Sequence, residues 1–190
     1  QSETSRASNK RYMLGEAGKA ANDRYKHGAA GRAKIQRGFE ARKQRYHSDP
    51  AIAMMDNIHC AATRLVSGRY NFSPTFVART SFSNESAFLS HLKAIITAKG
   101  WTWEDHGAVW EIELKIPHYA FDFNDPEDIK RCWSPANVHA MTKQENIKKS
   151  IKIIDSFCIE VGSDRFPKSW NGAIPTQEQK EAFYARVREG

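Results

Sequence analysis

Residues 100–150 read GWTWEDHGAVWEIELKIPHYAFDFNDPEDIKRCWSPANVHAMTKQENIKKS, and the periods inside this stretch decide the fold. Trp110, Ile112, Leu114 and Ile116 alternate with Glu111, Glu113 and Lys115. A period of two is that of a half-buried strand, here running from Val109 until Pro117 ends it. Asn124, Asp125 and Pro126 mark a loop, and Trp133 to Ala140 reads as a returning strand interrupted near Pro135. Thr142 and Glu145 stand three apart as a capping box, which opens a helix through Asn146, Lys149 and Ile153. Strand, loop, strand, helix is a ββα unit.

Upstream the period lengthens to that of helices. Asp49 and Pro50 supply a cap and a first-turn proline. Ile52, Met55, Ile58, Ala62, Leu65 and Val66 then recur at steps of three and four until Gly68. Ser83 or Asn84 caps a second helix whose buried stripe is Phe88, Leu92, Ile95 and Ile96, and Gly100 closes it. Trp101, Trp103, Trp110, Phe121, Phe123 and Trp133 read as core. Past residue 155, Pro167, Gly172 and Pro175 mark loop, and Thr176 opens a short polar helix carrying Phe183, Tyr184 and Val187.

The charge is distributed unevenly. The 190 residues hold 29 Lys and Arg against 22 Asp and Glu; residues 1–50 account for 12 and 5 of these, leaving 29 − 12 = 17 and 22 − 5 = 17 beyond. All of the net +7 therefore lies in the first quarter. A basic arm on a neutral body is the footprint of phosphate-backbone binding, because each neutralised phosphate releases counterions. Arg11-Tyr12, Arg24-Tyr25, Arg37-Gly38-Phe39 and Arg45-Tyr46 set cations beside aromatics, a pairing suited to backbone contact plus base stacking and equally to helical surface spacing. Gly15, Gly18, Gly28, Gly31 and Gly38 argue for an extended arm over one long helix. Cys60, Cys132 and Cys158 are odd in number and widely spaced, which indicates neither a disulfide framework nor a zinc knuckle. No apolar run approaches the roughly 18 to 20 residues of a membrane span.

Residues 100–150 also resemble the ββα-metal core of phage and homing-type HNH endonucleases (His-Me finger). That family's pattern runs W-x-N-x-G-x-x-W-H-I-D-H-I-I-P, then F-D-L-x-D-P-E, then Y-T-N-L-Q-P-L, then N-L-x-K. The resemblance extends to the preceding helices and the aromatic-flecked arm. It implies an α+β fold in which a ββα core at about 108–152 follows two amphipathic helices. The implied organisation is an extended basic arm over 1–48, an HNH-like domain over 49–155 and a C-terminal extension over 156–190. Such enzymes use one divalent metal and one histidine that deprotonates water. By resemblance Glu113 stands at the metal-binding Asp, Asn137 at the central Asn that orients the histidine, and Asn146 at the helix ligand. The base itself falls on Leu114, and the first histidine of the H-I-D-H string falls on Glu111.

Leucine accepts no proton, so the general-base step, typically worth about 10² to 10⁴ in rate, has no owner on the strand. These four positions, Glu113, Leu114, Asn137 and Asn146, read as vestigial, and no intact catalytic set, metal or other cofactor is expected. His118 and His139 are the nearest histidines that could rescue the base, in which case Mg²⁺ would sit at Glu113 and Asn146. Glu111-Ile-Glu113-Leu-Lys115 also has the E-x-K spacing of another nuclease class; alternating charges on a wet strand face explain it more simply.

The expected function is a non-catalytic nucleic-acid-binding protein, a pseudoenzyme serving as a structural subunit of a large ribonucleoprotein such as a mitochondrial ribosome. RNA is favoured over DNA, with neighbouring proteins as further partners and neither a membrane nor a small-molecule substrate. The contacts expected are Lys10, Arg11, Lys19, Arg24, Lys26, Arg32, Lys34, Arg37, Arg42, Lys43 and Arg45 of the arm, and Lys143, Lys148, Lys149 and Lys152 near the last helix of the core. A mitochondrial location is consistent with a start at Gln1, as after presequence removal; a fragment would start the same way, and the cytoplasm is the alternative. The rival functions are an active Mg²⁺-dependent nicking enzyme with a repositioned base and a DNA-binding phage regulator.

Overall fold

The computed structural model describes residues 28–68 and 74–189. The chain divides into two units, Gln1–Asp49 and Pro50–Gly190.

In the first unit the expectation of an extended arm is corrected over its second half: Ala29–Ser48 is one α-helix (α1). Ala, Arg, Lys, Gln and Glu fill most of its 20 positions. Their helix preference outweighs the roughly 1 kcal/mol cost of each internal glycine, Gly31 and Gly38. Residues 1–27 lie outside the described residues.

In the second unit, α2 (Pro50–Val66) buries Ile58, Ala62, Leu65 and Val66, and Gly68 follows at φ +64°. A short helix that periodicity did not reveal, α3 (Pro74–Arg79), adds Phe76 to the core. In α4 (Glu85–Ala98) the Asn84 side chain accepts from the Ala87 amide, and Phe88, Leu92 and Ile96 face inward. Phe76, Phe82 and Phe88 meet edge to face at 4.9 and 5.1 Å between centroids. Such pairs add about 0.5–1.5 kcal/mol beyond area burial.

Strand β1 (Trp110–Leu114) pairs antiparallel with β2 (Val138–Thr142), Trp110 opposite Thr142 and Leu114 opposite Val138. Trp110, Ile112 and Leu114 are buried while Glu111 and Glu113 are half-buried, as the alternation predicts. The returning strand begins five residues later than Trp133. The polypeptide first forms α5 (Pro126–Cys132), where a loop was expected: the Asp125 carboxylate accepts from the Glu127 amide, and Pro126 needs no donor at the first helical position. Ser134 to Asn137 then makes a turn, its carbonyl accepting from the Asn137 and Val138 amides. Helix α6 (Lys143–Lys149) follows β2 without a gap and packs on both strands; its Thr142/Glu145 capping box is formed. It stops at Ser150, φ +48°, short of Ile153.

Residues 156–189 share the same core. Helix α7 (Asp155–Val161) contributes Cys158 and Val161, and Phe166 joins them. The buried Asp128 carboxylate accepts from the Asp122 and Lys168 amides, and Arg131 donates to the Phe166 carbonyl. Tyr184 of α8 (Gln177–Glu189) accepts from the Ile153 amide. Cys132 and Cys158 are buried free thiols. No described helix is long and apolar enough to cross a membrane.

Candidate functional site

The outer face of β1 meets the inner face of α6. A strand period of two brings Glu111 and Glu113 to one side, and a helical step of three aligns Asn146 with Lys149. Asn146 Nδ2 donates to Glu111 Oε2 at 3.3 Å, and Lys143 Nζ stands 4.0 Å from the other oxygen of that carboxylate. Lys149 Nζ lies 3.2 Å from Glu113 Oε1, which also accepts from the Leu114 amide at 3.1 Å. Lys149 is 3% exposed. Its expected role as a surface phosphate contact is therefore corrected: its ammonium is the buried counter-ion of Glu113. Lys143, Lys148 and Lys152 are exposed as expected.

Leu114, which the resemblance sets at the base, is 4% exposed and belongs to the apolar core. Asn137 is fully buried. Its side chain accepts from the Ile116 amide at 2.7 Å and donates to the carbonyls of Ile116 and Cys132. With Lys115 donating to the Asn137 carbonyl, the Asn137 amide adds a rung beyond the end of β1.

Beside these residues opens a cleft of about 270 Å³ whose walls include Asp56, His59, Glu113, Leu114, His118 and Asn146. His118 comes from the turn after Pro117, and its Nε2 is buried without a hydrogen-bond partner. Burial, reinforced by His59 and Lys149, lowers its pKa to about 4. His139 is the cross-strand partner of Glu113 but does not line this cleft. It too is lowered to about 4, by burial and then by Lys99 and Lys115. Asp56 and His59 escaped the sequence reading. They sit three apart on α2, between the apolar residues that gave the helix its period, and only the fold turns them toward residues 113–118.

Both lowered histidines are neutral in the folded protein near pH 5, whereas unfolded histidine takes up a proton below about 6.5. The unfolded chain therefore binds more protons, and stability falls as pH drops from about 6.5 towards 4. For the well-buried His118 the contribution is at most about 1.4 kcal/mol per pH unit across that window; half-buried His139 acts in the same direction with a smaller effect because solvent screens it. Urea midpoints at pH 7 and pH 5 check this: the difference should shrink in His118→Gln, and an unaltered difference would refute the assignment.

Of the arm contacts, Arg32, Lys34, Arg37 and Lys43 are exposed on α1. Arg42 and Arg45 fall in the same helix, with side chains outside the described set. Lys10, Arg11, Lys19, Arg24 and Lys26 lie outside the described residues.

As to metal, a divalent ion at this site would need Glu113, whose carboxylate the Lys149 ammonium already neutralises. Asp56 is the other carboxylate lining the cleft, and the Asn146 amide is engaged with Glu111; Mg²⁺ usually takes carboxylates together with phosphate oxygens, and a set whose Glu113 is held by an ammonium and whose amide is already bonded fits it poorly. Among the described residues no three His, Cys, Asp or Glu side chains come together as a metal-binding group.

No family model matches the chain. Uncharacterized protein L426 of Acanthamoeba polyphaga mimivirus is 34% identical over 53 residues, 28% of this chain and 23% of the viral protein. The match thus spans less than a quarter of that protein's length. No solved structure matches.

Proposed function

We propose that this chain is a non-catalytic nucleic-acid-binding protein: a ββα unit of the HNH type that has lost its chemistry and serves as a structural subunit of a large ribonucleoprotein. The observation that carries this reading is the pairing of a buried leucine at the base position with a buried ammonium on Glu113. The first removes the proton acceptor and the second supplies internally the positive charge a metal would bring. The basic first quarter and the exposed Lys143, Lys148 and Lys152 support binding to phosphates. RNA is the proposed partner, and a mitochondrial ribosome the proposed type of assembly. Co-sedimentation of the native chain with ribosomal particles, and not with DNA alone, is the expected outcome.

The catalytic half is tested with purified protein, supercoiled and single-stranded DNA, and Mg²⁺ or Mn²⁺. No nicking is expected. Leu114→His is also expected to stay inactive, since it restores the imidazole but leaves Glu113 held by Lys149. Metal-dependent cleavage abolished by Glu113→Ala would overturn the proposal.

One observation favours the rival, an active nicking enzyme. His118 lines the cleft with Glu113 and Asn146, its buried Nε2 has no hydrogen-bond partner, and with a pKa lowered to about 4 the ring is unprotonated at neutral pH, though a weak base. On that reading His118→Ala abolishes cleavage, whereas Leu114→Ala does not.

A further inference from the structure

Helix α1 has features that the need to fold does not explain. It carries six Lys and Arg and one carboxylate, Glu40, in 20 residues. At 100° per residue, Arg32, Ile35, Phe39 and Lys43 fall within an arc of about 80°. Ile35 is 60% exposed and Phe39 61% exposed, while Arg32 and Lys43 are exposed at the two ends of the same face. Eleven residues separate those cations, about 16 Å along the axis. Glu40 lies outside the arc and accepts from Gln36 at 2.7 Å. Gly38 lies about 60° beyond the arc on the Ile35 side, as far outside it as Glu40 on the other. A Cβ there would meet nothing within 4 Å. Its helical φ needs no glycine, and alanine there would favour the helix. A glycine that the fold itself does not need is what close approach of another backbone calls for.

We propose that this face is a platform for an unpaired stretch of RNA: Phe39 and Ile35 pack on exposed bases, Arg32 and Lys43 hold phosphates at either end, and Gly38 lets the RNA backbone come close. The inference rests on the nucleic-acid reading above and adds the site and the form of the ligand. Charge complementarity selects a polyanion, and exposed aromatic surface between cations selects one with bases to stack. Unpaired bases are the ordinary state of RNA loops and bulges, and aromatic and arginine side chains stack on them there. A membrane surface would require a continuous apolar face, and a protein groove would require anchors at i, i+3, i+4 and i+7; α1 has neither.

The full chain is titrated with a labelled single-stranded RNA of about 20 nucleotides, duplex DNA of equal length, inorganic polyphosphate and phosphatidylserine vesicles. Single-stranded RNA should bind at least about tenfold more tightly than the other three. Phe39→Ala should weaken RNA binding about 5- to 100-fold, the worth of one stacked base, without changing its salt dependence or polyphosphate binding. Lys43→Gln should reduce the salt slope by about 0.7. Gly38→Leu should weaken RNA binding while circular dichroism reports no loss of helix. Equal affinity for polyphosphate, vesicles or duplex DNA overturns the proposal. So does RNA binding unaffected by Phe39→Ala and Gly38→Leu, an outcome that leaves the broader nucleic-acid reading standing. Binding to no nucleic acid at all defeats both.

Discussion

Deleting residues 1–48 is expected to lower nucleic-acid affinity, by about 10³ more at 50 mM salt than at 200 mM, and so to flatten its salt dependence. The deletion removes 12 Lys and Arg and 4 Asp and Glu, so the remaining chain carries +7 − (12 − 4) = −1. If about half of those cations meet phosphates, the loss in slope is about 5 for a duplex and about 4 for a single strand. The body offers little compensation, because many of its cations are spent internally. Lys115 pairs with Glu160 at 2.9 Å, Lys149 with Glu113 at 3.2 Å, Lys168 with Asp125 and Lys180 with Asp155. Folding should survive the deletion, since the unit boundary follows Asp49 and the buried core begins at Ile58. Affinity measured against salt from 50 to 200 mM decides the matter. An unchanged slope in the shortened chain would show that the arm does not touch phosphates.

What the sequence made legible was local. The stripe from Ile52 to Val66, the Asn84 cap, the alternation from Trp110 to Leu114 and the Thr142/Glu145 box each write their structure into neighbouring residues. Two errors were also local. In α1 the glycines were given more weight than the sum of good helix formers around them. At Asp125-Pro126 the same cap-and-proline signal that opens α2 at Asp49-Pro50 is taken by the sequence reading as loop, whereas it opens α5. The site was less legible, because its arrangement is set across the chain. Lys149 looks in sequence like one more lysine of a solvated helix face. Its burial depends on Glu113, 36 residues away and brought near by the strand pairing. Asp56 and His59 reach the cleft only because α2 packs beside the turn that carries His118.

Asn137→Ala is expected to cost about 4 kcal/mol of stability, enough to unfold a marginal domain. Asn137 is fully buried and satisfies three backbone groups, the amide and carbonyl of Ile116 and the carbonyl of Cys132. Truncation orphans all three in the interior, at about 1–3 kcal/mol each, with partial relief where water can enter. Asn137→Asp preserves the size and the acceptor for the Ile116 amide, yet turns a second oxygen toward two carbonyls. At neutral pH it should therefore be at least as damaging as alanine, and it should recover in part near pH 4, where a protonated carboxyl can donate again. Urea unfolding of the three proteins at pH 7 and pH 4 measures both effects. By resemblance this residue would orient a catalytic histidine, which the same resemblance would set where this chain has Leu114. On the non-catalytic reading proposed above, the amide's role is to carry the β1–β2 pairing one rung further and to fix the turn that leads to His118. A large loss of stability in Asn137→Ala is what that structural role requires. A variant as stable as the parent would mean that Asn137 is held in place for chemistry, and would shift the balance towards the nicking enzyme.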